Sequence, residues 1–184
     1  GKLFRSLPSE PDRAAVRRAC ATATTSDRAA EDALLATLAW GFGWVGYGPH
    51  RADIMLRTPQ AAKRLRSVAE IVASEGPIPD YRSLAGDSRI ARLGPAFGTK
   101  FLAFCQPDRA NPAALIHDEV VTAWLEANGR PDLRATTWAP VIYEAYLDQM
   151  HVWAKELGVA PETLEFLMFQ AEADRRGNQW ARPL

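Results

Sequence analysis

Two cysteines in 184 residues are too few for a disulfide framework. With Cys20 and Cys105 joined only by His50, His117 and His151, neither a zinc cage nor a four-cysteine iron–sulfur cluster is expected. The charge-free run from Ala33 to Pro49 is too short to span a bilayer and is interrupted by Gly41, Gly43, Gly46 and Gly48, so no membrane helix is expected there. No secretory leader pattern is visible, and a reducing cytoplasm, close to the nucleoid, is the expected location. Net charge is also missing: Lys and Arg together number 22, as do Asp and Glu, which argues against histone-like binding of nucleic acid by bulk attraction. Disorder is excluded by an apolar content of 47% with no long polar tract.

Alternating β-branched runs are absent as well. Apolar residues instead recur at intervals of three and four, the period of a helix buried along one face. The expected fold is therefore all-α, a single domain over residues 1–184 whose lobes share one core. Pro11-Asp12 opens a first helix and Ser26-Asp27 caps a second, which the glycine-rich stretch from Gly41 to Pro49 must end. His50 to Leu56 forms a short helix, and Thr58-Pro59 starts another that runs to about Ser74. Gly76-Pro77-Ile78-Pro79 reads as a rigid linker and a candidate lobe boundary. Beyond it, Gly94 to Gly98 reads as a tight connection into a helix from Thr99 to about Cys105. A helix from Asp118 to Asn128 and two longer ones, from Thr137 to Leu157 and from Pro161 to Arg175, close the chain.

Charge is unevenly spread although it sums to zero. Residues 1–116 carry 16 basic and 11 acidic side chains, whereas residues 117–172 carry 3 and 10. A polyanion would have to be held by the first two-thirds of the chain.

The stretch Leu93-Gly94-Pro95-Ala96-Phe97-Gly98-Thr99-Lys100, followed eighteen residues after the lysine by Asp118, carries the chemistry. Unpaired backbone N–H groups at a helix start suit a phosphate. Lys100, read in the first turn of that helix, opposes the helix dipole, and partial burial would favour a neutral, nucleophilic amine. Such an amine can attack a carbon electrophile and hold it as a Schiff base. Asp118, at the N-cap of the next helix, is a fixed carboxylate able to stabilise developing positive charge.

On these residues the segment resembles the helix-hairpin-helix DNA glycosylases, and among them the 8-oxoguanine DNA glycosylase branch. Gly98-Thr99-Lys100 matches the hairpin end, with Lys100 at the position of the family's nucleophile, and Asp118 before an apolar helix matches its catalytic aspartate. The hairpin departs from the family's order, since Gly94 precedes Pro95 and Ala96-Phe97 separate that pair from Gly98. The match resembles a minimal bacterial form. It implies a monomeric enzyme with no metal or organic cofactor, whose partner is duplex DNA containing a damaged base. It further implies a glycosylase-like fold of two helical lobes around a central cleft, base extrusion into it, attack by Lys100 on the sugar, and β-elimination at the resulting abasic site, with oxidised guanine as the base removed.

Other residues join this reading with packing as the alternative. Gly94, Gly98 and Thr99 are candidate DNA contacts at the hairpin; Arg51 and Arg57 are candidates in the basic stretch that continues through Lys63, Arg64 and Arg66. Phe104, one turn after Lys100, Phe169 with Gln170 on the last long helix, and Trp44 in the glycine-rich turn are candidates for the base pocket. Trp40, Phe42 and Tyr47 belong to the same aromatic turn, with burial as their competing role. His117 reads as a neighbour of the site or a surface residue, and His151 as a satisfied core histidine. Two rival functions remain at this stage: a non-catalytic helix-hairpin-helix DNA-binding module, and a protein-interaction domain using the acidic helices from Ala135 onward.

Overall fold

The computed structural model describes residues 11–42, 48–108 and 110–177. Among them are nine α-helices and no strand: α1 (Arg13–Cys20), α2 (Asp27–Phe42), α3 (Gly48–Leu56), α4 (Ala61–Ser74), α5 (Pro77–Ala85), α6 (Pro95–Cys105), α7 (Glu119–Ala127), α8 (Pro140–Leu157) and α9 (Pro161–Arg175). No described helix is long and apolar enough to cross a membrane.

Local chemistry sets most boundaries. The Asp12 carboxylate accepts from the Ala15 N–H at 2.6 Å and starts α1, and the Ser26 hydroxyl accepts from the Ala29 N–H at 3.1 Å and starts α2. Gly158, with φ of 68°, closes α8 in the left-handed conformation that glycine adopts without a Cβ penalty.

Several expected boundaries differ from those observed. Gly76 to Pro79 is no linker: Pro77 fills the first position of α5, where its missing N–H is unneeded. The helix α4 begins at Ala61 rather than at Pro59, and the Thr58 hydroxyl accepts from the Ala91 N–H at 2.9 Å. The last two long helices start on prolines, so α8 opens at Pro140, three residues later than Thr137. Most consequential, α6 begins at Pro95 behind Gly94, which turns the expected Gly94 to Gly98 connection into the first turn of the helix itself.

The core brings these helices together around α2 and α6. Helix α2 packs against α1, α4 and α6, while α6 also meets α1, α4 and α5. Helix α9 packs on α7 and α8. Between them lie Leu34, Leu38, Phe101, Leu102, Tyr143, Tyr146 and Met150, all buried. Two glycines let α6 come this close. A Cβ on Gly98 would lie 2.3 Å from the Trp138 ring, and one on Gly41 would lie 2.5 Å from the Phe97 ring. Gly98→Ala is expected to destabilise the protein by about 1–3 kcal/mol through overpacking, seen as a lower urea midpoint with an unchanged m-value.

Asp80, in the first turn of α5, is fully buried, and neither carboxylate oxygen has a hydrogen-bond partner among the described residues. Burial raises its pKa to about 9, so the fold holds it as the neutral acid. An unfolded chain ionises it above about pH 4, and stability therefore falls as pH rises from there toward about 9. The Asp80→Asn variant removes this slope, which amounts to at most about 1.4 kcal/mol per pH unit. Urea melts at pH 5 and pH 8 should show wild type losing more stability between the two than the variant.

Candidate active site

Lys100 and Asp118 meet. Lys100 Nζ donates to Asp118 Oδ2 at 2.5 Å, across eighteen residues of chain, with side-chain exposures of 8% and 9%. The second carboxylate oxygen, Oδ1, accepts from the Val120 and Val121 N–H groups at 3.0 and 3.1 Å and caps α7. One side chain thus starts a helix and holds a cation. Burial opposes ionisation of Asp118, but the Lys100 ammonium and the two N–H bonds outweigh it and keep the carboxyl below its usual range.

Lys100 lies in the second turn of α6, because the helix starts at Pro95. The first-turn dipole argument for it is therefore corrected: the carboxylate contact, rather than the helix end, governs this amine. The amine and the carboxylate form a buried pair in direct contact.

What places Asp118 is the irregular segment before it. The Gln106 side chain donates to the Ala103 and Ala114 carbonyls at 3.1 and 2.9 Å and accepts from the Ala114 N–H at 2.7 Å. The Tyr143 hydroxyl donates to the Leu115 carbonyl at 2.9 Å, and the Tyr146 hydroxyl to the Ile116 carbonyl at 2.8 Å. Thr99 Oγ1 accepts from the His117 N–H at 3.0 Å. His151 Nε2 accepts from the Ala113 N–H at 3.2 Å while Nδ1 donates to the Leu147 carbonyl at 2.7 Å, the satisfied role expected of it. A buried loop without ladder partners needs every one of these.

A second ion pair adjoins the first. Arg13, at the start of α1, donates from both terminal nitrogens to Glu165 of α9 at 2.9 Å each. Burial pushes the Glu165 carboxyl up, Arg13 pulls it down, and the Asp118 charge adds to the upward push. Around these four charges stand aromatic rings. The Arg13 guanidinium carbon is 5.5 Å from the Trp40 centroid and 4.9 Å from that of Phe166. Lys100 Nζ lies 5.4 Å from the Phe97 centroid. The Phe104 ring meets Trp40 edge-on at 5.1 Å, and Phe42 packs on Phe97 at 4.3 Å.

The remaining expected residues are distributed as follows. Phe104 is buried one turn beyond Lys100, with its ring against Trp40. Phe169 and Gln170 are half-buried on α9, Phe169 against the core. Trp44 and Tyr47 lie outside the described residues. Gly94 is the half-buried N-cap of α6, open around its Cα. Two hairpin contacts are corrected: Gly98 is sealed beneath Trp138, and Thr99 is fully buried with its hydroxyl committed to the Ala96 carbonyl and the His117 N–H. Arg51 is exposed with its guanidinium 5.7 Å from the Phe42 centroid, while exposed Arg57 pairs with Asp53 at 2.9 Å. Arg64 donates to the Arg89 carbonyl and Arg66 to Glu70.

Sequence reasoning missed Arg13, Glu165, Phe97 and Phe166. One signal was available: Glu165 falls on the same helical stripe as Leu164, Met168 and Glu172, so a charge was predictable on the buried face of α9.

The all-α fold thus carries a buried lysine–aspartate pair across eighteen residues of chain. The family model described as "Putative 8-oxoguanine DNA glycosylase OGG-like protein" matches residues 5–169, and the chain belongs to that family, in the 8-oxoguanine branch of the helix-hairpin-helix glycosylases. No curated protein and no solved structure matches the chain.

His117, the neighbour of Asp118, is not at the surface. Its ring is buried and stacks on Tyr146 at 4.4 Å, and neither ring nitrogen has a partner of good geometry among the described residues. Burial lowers its pKa to about 4, with the Leu133 carbonyl and Asp118 pulling the other way. The unfolded chain binds this proton near pH 6.5, so stability is lost as pH falls from about 6.5 to about 4. His117→Phe, which keeps the stack, should lose less stability than wild type between pH 6.5 and pH 4.5 in thermal melts.

Proposed function

We propose that the protein is a DNA glycosylase with abasic lyase activity, excising oxidised guanine from duplex DNA through a Schiff base on Lys100. The observation that carries this reading is the 2.5 Å contact between Lys100 Nζ and Asp118 Oδ2. A nucleophilic amine must first lose a proton, and Asp118 Oδ2 is the acceptor already in contact with it. Nζ then bonds to the sugar's anomeric carbon as the glycosidic bond breaks and its electron pair leaves with the base, which takes up a proton. Asp118 passes the proton taken from Lys100 to the departing base and, ionised again, stabilises the positive charge that develops on the sugar. Ring opening gives an imine; loss of a 2′-proton expels the 3′-phosphate and nicks the strand, and water releases the lysine.

Partner binding follows from the same arrangement. The duplex must be bent and one nucleotide extruded toward the pair, with the open N-cap at Gly94 and the Arg51 guanidinium as phosphate contacts.

One observation favours the rival, a non-catalytic DNA-binding module: side-chain exposures of 8% and 9% also suit a structural ion pair. The two readings separate by borohydride trapping on duplexes bearing 8-oxoguanine or an abasic site. Wild type is expected to form a covalent adduct on a denaturing gel, and Lys100→Gln to lose it by at least about a hundredfold, as for removal of a covalent nucleophile. Salt-sensitive binding without an adduct would replace the enzyme reading with the module.

A further inference from the structure

Three features of Arg13 have no role in the chemistry assigned to Lys100 and Asp118. The first is position: its guanidinium lies against Trp40, whose ring meets Phe104, one turn along α6 from Lys100. Arg13 also bonds Glu165, whose charge bears on Lys100 and Asp118. The second is an unused donor. Nε of Arg13 is buried and has no hydrogen-bond partner among the described residues, although both terminal nitrogens are bonded. A buried N–H left without a partner is costly and calls for an acceptor. The third is the pair of flat faces beside it, Trp40 and Phe166, both half-buried rather than sealed in the core.

We infer that Arg13 is the base-contacting residue of this enzyme: its guanidinium donates to a carbonyl oxygen of the extruded base, while Trp40 and Phe166 supply stacking faces. This rests on the glycosylase reading above and adds to it the residue that contacts the base. Guanidinium is a donor only, so it accepts a base whose contacted edge carries an oxo group and rejects one that presents an amino group there. Glu165 has two functions in this arrangement. Its carboxylate neutralises Arg13 while the site is empty, and by bonding both terminal nitrogens it fixes the fork and leaves Nε–H outside the ion pair. The α1 helix, whose N-cap is Asp12, thereby contributes a residue to a site otherwise built from α2, α6, α7 and α9.

The test compares borohydride trapping on two duplexes that differ only at the target: 8-oxoguanine in one, an abasic site in the other. The second has no base for Arg13 to contact, so the ratio of base-bearing to abasic trapping isolates the inference. Arg13→Met/Glu165→Gln removes the guanidinium without leaving a buried unpaired carboxylate, and thermal unfolding checks that it folds. Arg13→Lys keeps a cation opposite Glu165 but loses both the fork and Nε–H. Each variant is expected to lower the ratio at least about tenfold, the scale of a charged hydrogen bond to a base edge. An unchanged ratio, with both duplexes trapped less, assigns the pair to structure alone and overturns the inference. A wild type that traps abasic but not base-bearing DNA leaves Lys100 chemistry standing and overturns the role of Arg13. Failure of wild type on both duplexes overturns the glycosylase reading, and this one with it.

Discussion

Asp118 makes two commitments with one carboxylate, and the arrangement of the site depends on both. Oδ1 supplies the acceptor that the first turn of α7 lacks, and Oδ2 receives the Lys100 ammonium. Removing either partner would leave a buried charge or an orphaned helix end, each costing about 1–3 kcal/mol or more. A carboxylate fixed at both oxygens has little freedom to rotate. The direction in which it presents negative charge is therefore decided by the fold before any ligand arrives, which is what electrostatic preorganisation requires.

That carboxylate is only as well placed as the loop leading to it. Residues 113–117 form no ladder, yet their backbone groups are bonded by side chains from α6 and α8: Thr99 and Gln106 from one, Tyr143, Tyr146 and His151 from the other. Four of these five, all but His151, are themselves buried, and their polar groups would be expensive to leave unsatisfied. The loop is held between the two helices, and Lys100, on α6, moves with one of them. Buried charge here is tolerated because hydrogen bonds and a second ion pair, Arg13 with Glu165, surround it.

Much of this was legible in the sequence where the determinant is local. The caps at Asp12, Ser26 and Asp118 rest on a side chain reaching a backbone N–H two or three residues away, and the pattern of letters shows it. The eighteen-residue spacing of Lys100 and Asp118 was also readable, through a family resemblance. Less legible was the start of α6, since Gly-Pro signals both a turn and a helix N-terminus, and only the packing of Trp138 over Gly98 decides between them. Thr99 looked like a phosphate contact and proved to be internal, because its hydroxyl serves a loop that the sequence alone does not fold back onto it. Arg13 and Glu165 stand 152 residues apart, and no local rule joins them.

The close seat of Trp138 on Gly98 has a consequence for the lysine two residues on. An indole ring occupying the volume of a missing methyl acts as a key in a slot, preventing α6 from turning about its axis or sliding along it. Trp138 itself belongs to no helix, being carried on the connection into α8. The azimuth of the amine is thus dictated by a ring on an inter-helix strap, and the bulk at that one position gauges how deeply the Lys100 nitrogen is set into the protein.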